Sequence, residues 1–334
     1  MNNIDFDILN HIIIPNLDIK DIVSLSCVNK RMNDIVYKKN IKKIYNLKID
    51  HDKLHDYFNI FTEISLQINK NDDIKKLCIP ENMHKFIVSI DISDNVNIED
   101  ISILTKCKNL RTLNINNCNK ITDVNFLCGI VDLSINNTSI TNIKNMNKLV
   151  KLTACFCKKL THIENLVELI DCNLFESNII NIVNCKKIDK INISKCNSFN
   201  NFIEIKDVSK LICHGNTQIS DLSIFKFLKE LNIVCCGGIR TIPYMEFLYK
   251  LDMSNTIVNS IDSKIPLIEL KMIGCQNIEN ISDFTNLIKI DISGTKISDI
   301  TSLKNIRSII AFRNELNKDS IKFINNNNKI KIYK

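Results

Sequence analysis

The chain has 334 residues, 45% hydrophobic and 24% charged, which is enough to bury a large core and, on length alone, would suit two or three ordinary domains. Ile (63), Asn (48) and Lys (39, against 5 Arg) dominate, the bias of an AT-rich genome, so much of their abundance reflects codon supply rather than chemistry. The net charge of +7 is interspersed with Asp and Glu, and Gly (6), Pro (4) and Trp (0) are scarce; this balance argues against a concentrated nucleic-acid surface, nucleotide-binding glycine loops and Pro-rich disorder.

Met1-Asn2-Asn3 lacks the basic start of a secretory leader, and Ile12–Ile14 is too short for its apolar core. No run approaches the ~18 apolar residues of a membrane span. The expectation is a soluble protein of the cytoplasm, the host cytoplasm if the source is viral, with no nucleic-acid or membrane partner.

Residues 1–45 carry apolar side chains at spacings of three and four: Ile8, Leu9, Ile12 and Ile13, then Ile22, Leu25, Val28, Met32 and Ile35. These predict amphipathic helices, with Pro15 breaking the first and Asp18 capping the second. One reading is a helical cap over the open end of a solenoid. The stretch also resembles an F-box, the adaptor-binding module of ubiquitin ligase receptors. Phe6-Asp-Ile8-Leu9-Asn-His-Ile12 stands for the opening helix, and Leu17 with Ile19-Lys-Asp21-Ile22 matches the family's L-x-x-x-D-L. Leu25-Ser-Cys27-Val28-Asn-Lys30-Arg31-Met32-Asn-Asp-Ile35-Val36 follows its closing segment, with Cys27 and Val28 in swapped order. The opening Leu-Pro is absent, and Met32 stands where the family prefers Trp. The resemblance implies that Ile8, Leu9, Pro15, Leu17, Ile22, Leu25, Val28, Met32 and Ile35 dock a Skp1-type adaptor or pack the motif's own core.

Residues 46–85 are less regular. Leu47, Ile49, Leu54, Phe58, Phe61, Ile64, Leu66 and Ile68 predict a connecting helix and then one or two degenerate repeats.

Over residues 86–316 the pattern L-x-x-L-x-I-x-x-(C/T/S/N) recurs twelve times, with first places at 87, 110, 130, 149, 169, 188, 208, 228, 248, 267, 287 and 306. After an opening step of 23, each step is 19 or 20. The ninth place reads Asn95, Cys118, Thr138, Cys157, Ser177, Cys196, Asn216, Cys236, Thr256, Cys275, Thr295 and Asn314. Two further apolar residues come after it, such as Ile121 with Val124 and Ile219 with Leu222. One repeat cannot bury its apolar face alone, so neighbours must stack into a continuous core. The small ninth residue is expected to bond backbone amides left free at the turn. Residues 317–334, with Asn325–Asn328 and Ile330-Lys-Ile332, read as a carboxyl cap ending in a strand.

The pattern resembles the leucine-rich repeat family. The implied fold class is an α/β solenoid: a leucine-rich repeat horseshoe with a parallel β-sheet on the concave face, preceded by a small helical F-box-like module. The third, fifth, seventh and eighth places would line that concave face. Most are polar, and the apolar or aromatic exceptions Phe156 and Phe175, with Val234 and the imidazole of His214, are the candidate partner-binding residues.

Periodicity makes the ninth-place cysteines structural. Cys155-Phe-Cys157 and Cys235-Cys236 each put one member on that ladder with no His pair at zinc spacing, so neither a metal nor another cofactor is expected. Reduced thiols suit a cytoplasmic compartment. The six His are scattered, and no G-x-S-x-G, H-E-x-x-H or Walker pattern occurs. The protein is not expected to be an enzyme. The order of modules implies the substrate-recognition subunit of a cullin-type SCF ubiquitin ligase, joining a Skp1-type adaptor and cullin complex to a target protein. The alternative is a non-catalytic repeat scaffold or inhibitor whose N-terminal helices only cap the solenoid.

Overall fold

In the computed structural model, the described residues are 44–49, 63–70 and 73–333. The nine adaptor-facing candidates, Ile8 to Ile35, lie outside them. The chain divides into two compact units, Met1–Thr138 and Ser139–Lys334, so the division falls inside the repeat run. The described residues of each form a parallel β-solenoid.

In the first unit, strands Ile44–Ile49, Glu63–Ile68, Ile87–Asp91, Thr112–Asn114 and Asp132–Ser134 lie side by side in chain order, all parallel. Leu47 and Ile49, expected in a connecting helix, therefore belong to a strand. In Glu63–Ile68 the alternation expected of a strand is visible in burial: Ile64, Leu66 and Ile68 point inward while Glu63 and Gln67 face solvent. Fourth-place residues come into register, Ile90 opposite Leu113 and Leu113 opposite Leu133, and all three are fully buried.

The second unit repeats the design with ten three-residue strands, from Lys151–Thr153 to Lys331–Tyr333, again parallel and in chain order. Fourth- and sixth-place side chains such as Leu211 with Cys213 and Leu231 with Ile233 form its core. Removing a Leu side chain from water is worth roughly 1.5–3 kcal/mol, and every repeat adds such residues against both neighbours. On the far side of the coil, Asn142–Lys144, His162–Glu164 and Asn181–Val183 pair as a second small parallel sheet, and Thr241–Ile242 pairs with Ser260–Ile261. Otherwise the return segments are turns and 3₁₀ helices such as Phe202–Ile205. The one α-helix among the described residues is Lys318–Asn325. Asn317 caps it by accepting from the Ser320 amide at 2.8 Å, and buried Ser320 donates to the Ser298 carbonyl at 3.1 Å. Among the described residues no helix is long and apolar enough to cross a membrane.

The ninth place bonds backbone amides, as expected, in some repeats, and in more of them it donates to carbonyls. Most of its hydroxyls and thiols donate to sixth-place carbonyls, and two hydroxyls also accept from amides: Ser177 Oγ from Cys157 at 3.0 Å and Thr295 Oγ1 from Ile297 at 3.3 Å. Thr138, Thr256 and Thr295 donate to the carbonyl of their own repeat, Ile135, Met253 and Ile292, at 2.7–2.9 Å. Cys118, Cys196, Cys236 and Cys275 reach back to the preceding repeat, to the carbonyls of Ile92, Leu174, Cys213 and Met253, at 2.9–3.2 Å. The longer C–S bonds and larger sulfur extend that reach, although a thiol is a weak donor. Asn216 does accept from amides: its Oδ1 takes those of Gln218 (2.9 Å) and Ile219 (3.2 Å), while Nδ2 donates to the Cys196 carbonyl (3.2 Å). Asn216 is fully buried. Asn216→Ala should therefore cost about 2–3 kcal/mol, since it strands two amides and a carbonyl away from water. Chemical denaturation of the two proteins measures this directly.

Candidate partner-binding face

Third-, fifth- and seventh-place side chains stand on the open side of the sheet in each unit. The third-place row of the second unit is ionic. Lys210, Glu230, Lys250, Glu269 and Lys289 succeed one another in register across five strands. Lys210–Glu230 is 2.9 Å, Lys250–Glu269 3.4 Å and Lys289–Glu269 2.7 Å. Hydrogen bonding from Lys210 holds the Glu230 carboxyl below its ordinary range, helped by the Tyr249 hydroxyl at 3.1 Å, and Lys289 does the same for Glu269. Such exposed pairs add well under 1 kcal/mol each. Lys210, Glu230, Lys250 and Glu269, with Ile212, Asn232, Asp252 and Lys271, wall a shallow cavity of about 200 Å³.

The fifth place, read from sequence as polar surface, is a backbone device. Its Asn or Asp Oδ1 accepts from the amide two residues on: Asn173 from Phe175, Asn192 from Ser194, Asn232 from Val234, Asp252 from Ser254 and Asp291 from Ser293, at 3.0–3.2 Å. These Asx turns close the five strands that carry them. Their carboxylates and amides are committed to the fold, which leaves the third and seventh places as the adaptable ones.

The eighth place is likewise set by the backbone. In all twelve repeats it adopts positive φ, from 53° at Asn137 to 70° at Gly274. Seven repeats fill it with Asp, Asn or Gly, which tolerate this region. At Gly274 a Cβ would also come within 2.7 Å of the Asn255 Oδ1. Phe156, Glu176, Lys195, Cys235 and Arg313 occupy it without that allowance, at a cost of roughly 1–2 kcal/mol each.

Phe156 is thus a turn residue and 45% exposed, whereas half-buried Phe175 is a seventh-place residue of the next repeat. The two rings meet edge to face, 5.2 Å apart at 81°, and the Phe156 amide donates to the Phe175 carbonyl at 2.8 Å. His214 and Val234 are half-buried seventh-place residues of two consecutive repeats, linked through the Gly215 amide on the Val234 carbonyl. Between the two pairs stands Ser194, buried, with its hydroxyl 2.6 Å from Asn192 Oδ1. The structure therefore brings Phe156 to Phe175 and His214 beside Val234, with a polar repeat separating the pairs. A further exposed aromatic pair escaped the sequence reading: Phe227 and Phe247 stack with centroids 6.5 Å apart at 19°. Each directly precedes a first-place Leu, a position the nine-residue pattern does not include.

The described cysteines are thiols. Cys157 and Cys236 sit on the buried ladder, while Cys155 is half-buried and Cys235 exposed. Among the described residues no three His, Cys, Asp or Glu side chains gather as a metal site.

Comparison with known families matches residues 3–44 to the F-box domain and residues 87–129 to leucine-rich repeats. The chain thus carries an F-box match ahead of a leucine-rich repeat match. No curated protein sequence matches it. Among solved structures it is similar to an internalin from Listeria monocytogenes str. 4b F2365, at 16% identity and a TM-score of 0.62, covering 81% of this chain and 86% of that one. It is also similar to the functional domain of InlJ from Listeria monocytogenes, which includes a cysteine ladder (17%, TM-score 0.52, covering 78% and 68%). The TLR13–ssRNA13 complex is a third (14%, TM-score 0.56, covering 98% of this chain and 59% of that one). At these identities the likeness is one of fold. The family model recognises only the repeats at 87–129, although the same register runs on to 316. Solenoids of this fold are typically non-enzymatic scaffolds.

Proposed function

We propose that this protein is the substrate-recognition subunit of a cullin-type SCF ubiquitin ligase. The F-box match at residues 3–44, placed ahead of the repeats, is the observation that carries the reading. In it the F-box holds a Skp1-type adaptor and thereby the cullin complex, and the open face of the repeats holds a target protein. The subunit performs no chemistry of its own. It raises the local concentration of the target near the ligase, as any tether does by replacing a bimolecular encounter with an intramolecular one. The buried thiols suit a reducing compartment, and the cytoplasm is the proposed location.

Mixing the tagged full chain with purified Skp1-type adaptor and cullin tests this. Capture of adaptor is the expected result, with loss of at least tenfold on Leu17→Asp plus Ile22→Asp, positions matching the F-box L-x-x-x-D-L. If the folded parent captures no adaptor, the scaffold reading replaces this one.

A further inference from the structure

Three consecutive repeats, starting at 149, 169 and 188, place Phe156, Glu176 and Lys195 at the positive-φ eighth place, where seven of the other nine repeats use Asp, Asn or Gly. Strained backbone conformations persist where something else requires them, and they cluster at ligand clamps. Cys235 and Arg313 are the other exceptions, and each is isolated. The three consecutive side chains, by contrast, converge. Phe156 lies edge-on to Phe175, the Lys195 ammonium sits 5.5 Å from the Phe175 ring centre, and Glu176 is bracketed by Lys158 at 3.2 Å and Lys195 at 3.6 Å. Phe156 stays exposed despite its ring partner. Two ammonium groups share one carboxylate, and the third-place row beside them, Lys151, Asp171 and Lys190, adds one further net positive charge.

We propose that Phe156, Phe175, Lys158 and Lys195 form an anchor site for a protein segment that presents a bulky apolar side chain next to a carboxylate. The apolar side chain packs on the exposed face of Phe156 and the edge of Phe175, where aromatic surfaces give the most contact for the least lost side-chain freedom. The carboxylate competes with Glu176 for the ammonium groups of Lys158 and Lys195, whose long, flexible stems let them serve both acids. The excess of Lys over Asp and Glu here favours an acidic partner over a basic one. The site deepens the receptor reading and rests on it only in taking the repeats as the target-binding face.

A displayed library of random peptides, selected on the full chain, tests this. The expected result is enrichment of Phe, Trp, Leu or Met beside Asp or Glu. A synthetic peptide from that pool should bind Phe156→Asn at least tenfold more weakly than the parent. Asn is at home at positive φ, so this variant should also melt about 2–4 °C higher, which separates loss of binding from loss of folding. It should capture Skp1-type adaptor as well as the parent does, whereas Leu17→Asp plus Ile22→Asp should lose adaptor and keep the peptide. No enrichment, enrichment of basic or purely polar peptides, unchanged affinity in Phe156→Asn, or a lowered melting point would each overturn the assignment.

Discussion

Leu133→Asp is expected to lower stability by about 3–5 kcal/mol. Leu133 is the middle residue of the strand Asp132–Ser134, is fully buried, and stands in register with Leu113. An aspartate there has neither water nor a cation to face: its strand neighbours Asp132 and Ser134 point the other way, and the next layer is apolar. Either the carboxylate stays charged at the full cost of desolvation, or it takes up a proton and its pKa rises. The second route makes the damage pH-dependent. The folded-state pKa would exceed the unfolded value, so the variant should recover part of its loss as pH falls through the folded pKa toward about 4, where the recovery is complete. Because a solenoid couples each repeat mainly to its neighbours, unfolding should also lose cooperativity around this repeat. Urea titrations of parent and variant at pH 7 and pH 4 read both effects. Equal midpoints at pH 7 would mean that the repeat register places Leu133 wrongly.

That register was legible from sequence because three apolar places and one small polar place recur at steps of 19 or 20, a signal no codon bias imitates. Phe156 and Phe175 stood out for a related reason, being aromatic where neighbouring repeats carry Asn, Ser or Cys. Other features were hidden by the composition. The fifth-place Asn residues that cap seventh-place amides, such as Asn173 and Asn232, look like ordinary members of a chain holding 48 Asn. The eighth place carries a shared backbone conformation under side chains as unlike as Gly, Asn, Lys and Phe, so its unity is geometric. The direction of the ninth-place bonds was unreadable as well, because a hydroxyl can donate or accept and only the carbonyl positions decide. The Ile44–Ile49 strand was obscured because Ile44, Leu47 and Ile49, spaced by three and two, suit a helical face as well as a strand. The ionic row Lys210–Glu230–Lys250–Glu269–Lys289 spans five repeats, and its pairing emerges only when the strands come into register.

Raising the pH should expose how far the folded state depends on keeping its cysteines protonated. Burial pushes the thiols of Cys107, Cys185 and Cys196 up to about 11 and that of Cys118 up to about 12, and it lifts Cys172 in the same direction. An unfolded thiol titrates near 8.5. The folded pKa lies above the unfolded one, so this stability is fully present below about pH 8.5 and is lost as the pH rises through 11 to 12. Within that window the unfolded chain releases protons that the folded chain retains. Each such thiol then costs about 1.4 kcal/mol per pH unit, and several acting together should remove several kcal/mol by about pH 10.5. Melting curves from pH 7.5 to 10.5, in the presence of a reductant, should show a fall that steepens above pH 8.5. Lys and Tyr titrate at the upper end of this range, so the control is a variant carrying Cys118→Thr and Cys196→Thr. Thr fills the same ninth place at Thr138, Thr256 and Thr295, where its hydroxyl donates to a sixth-place carbonyl and does not ionise. The variant should fold and lose less stability across the window, by about 2–3 kcal/mol per pH unit for the two thiols. A slope equal to the parent's would mean that the thiols at 118 and 196 ionise as readily in the folded protein as in the unfolded chain. The tight bonds from Cys118 to the Ile92 carbonyl and from Cys196 to the Leu174 carbonyl argue against that, because each holds its proton between two buried groups with no water to receive the charge.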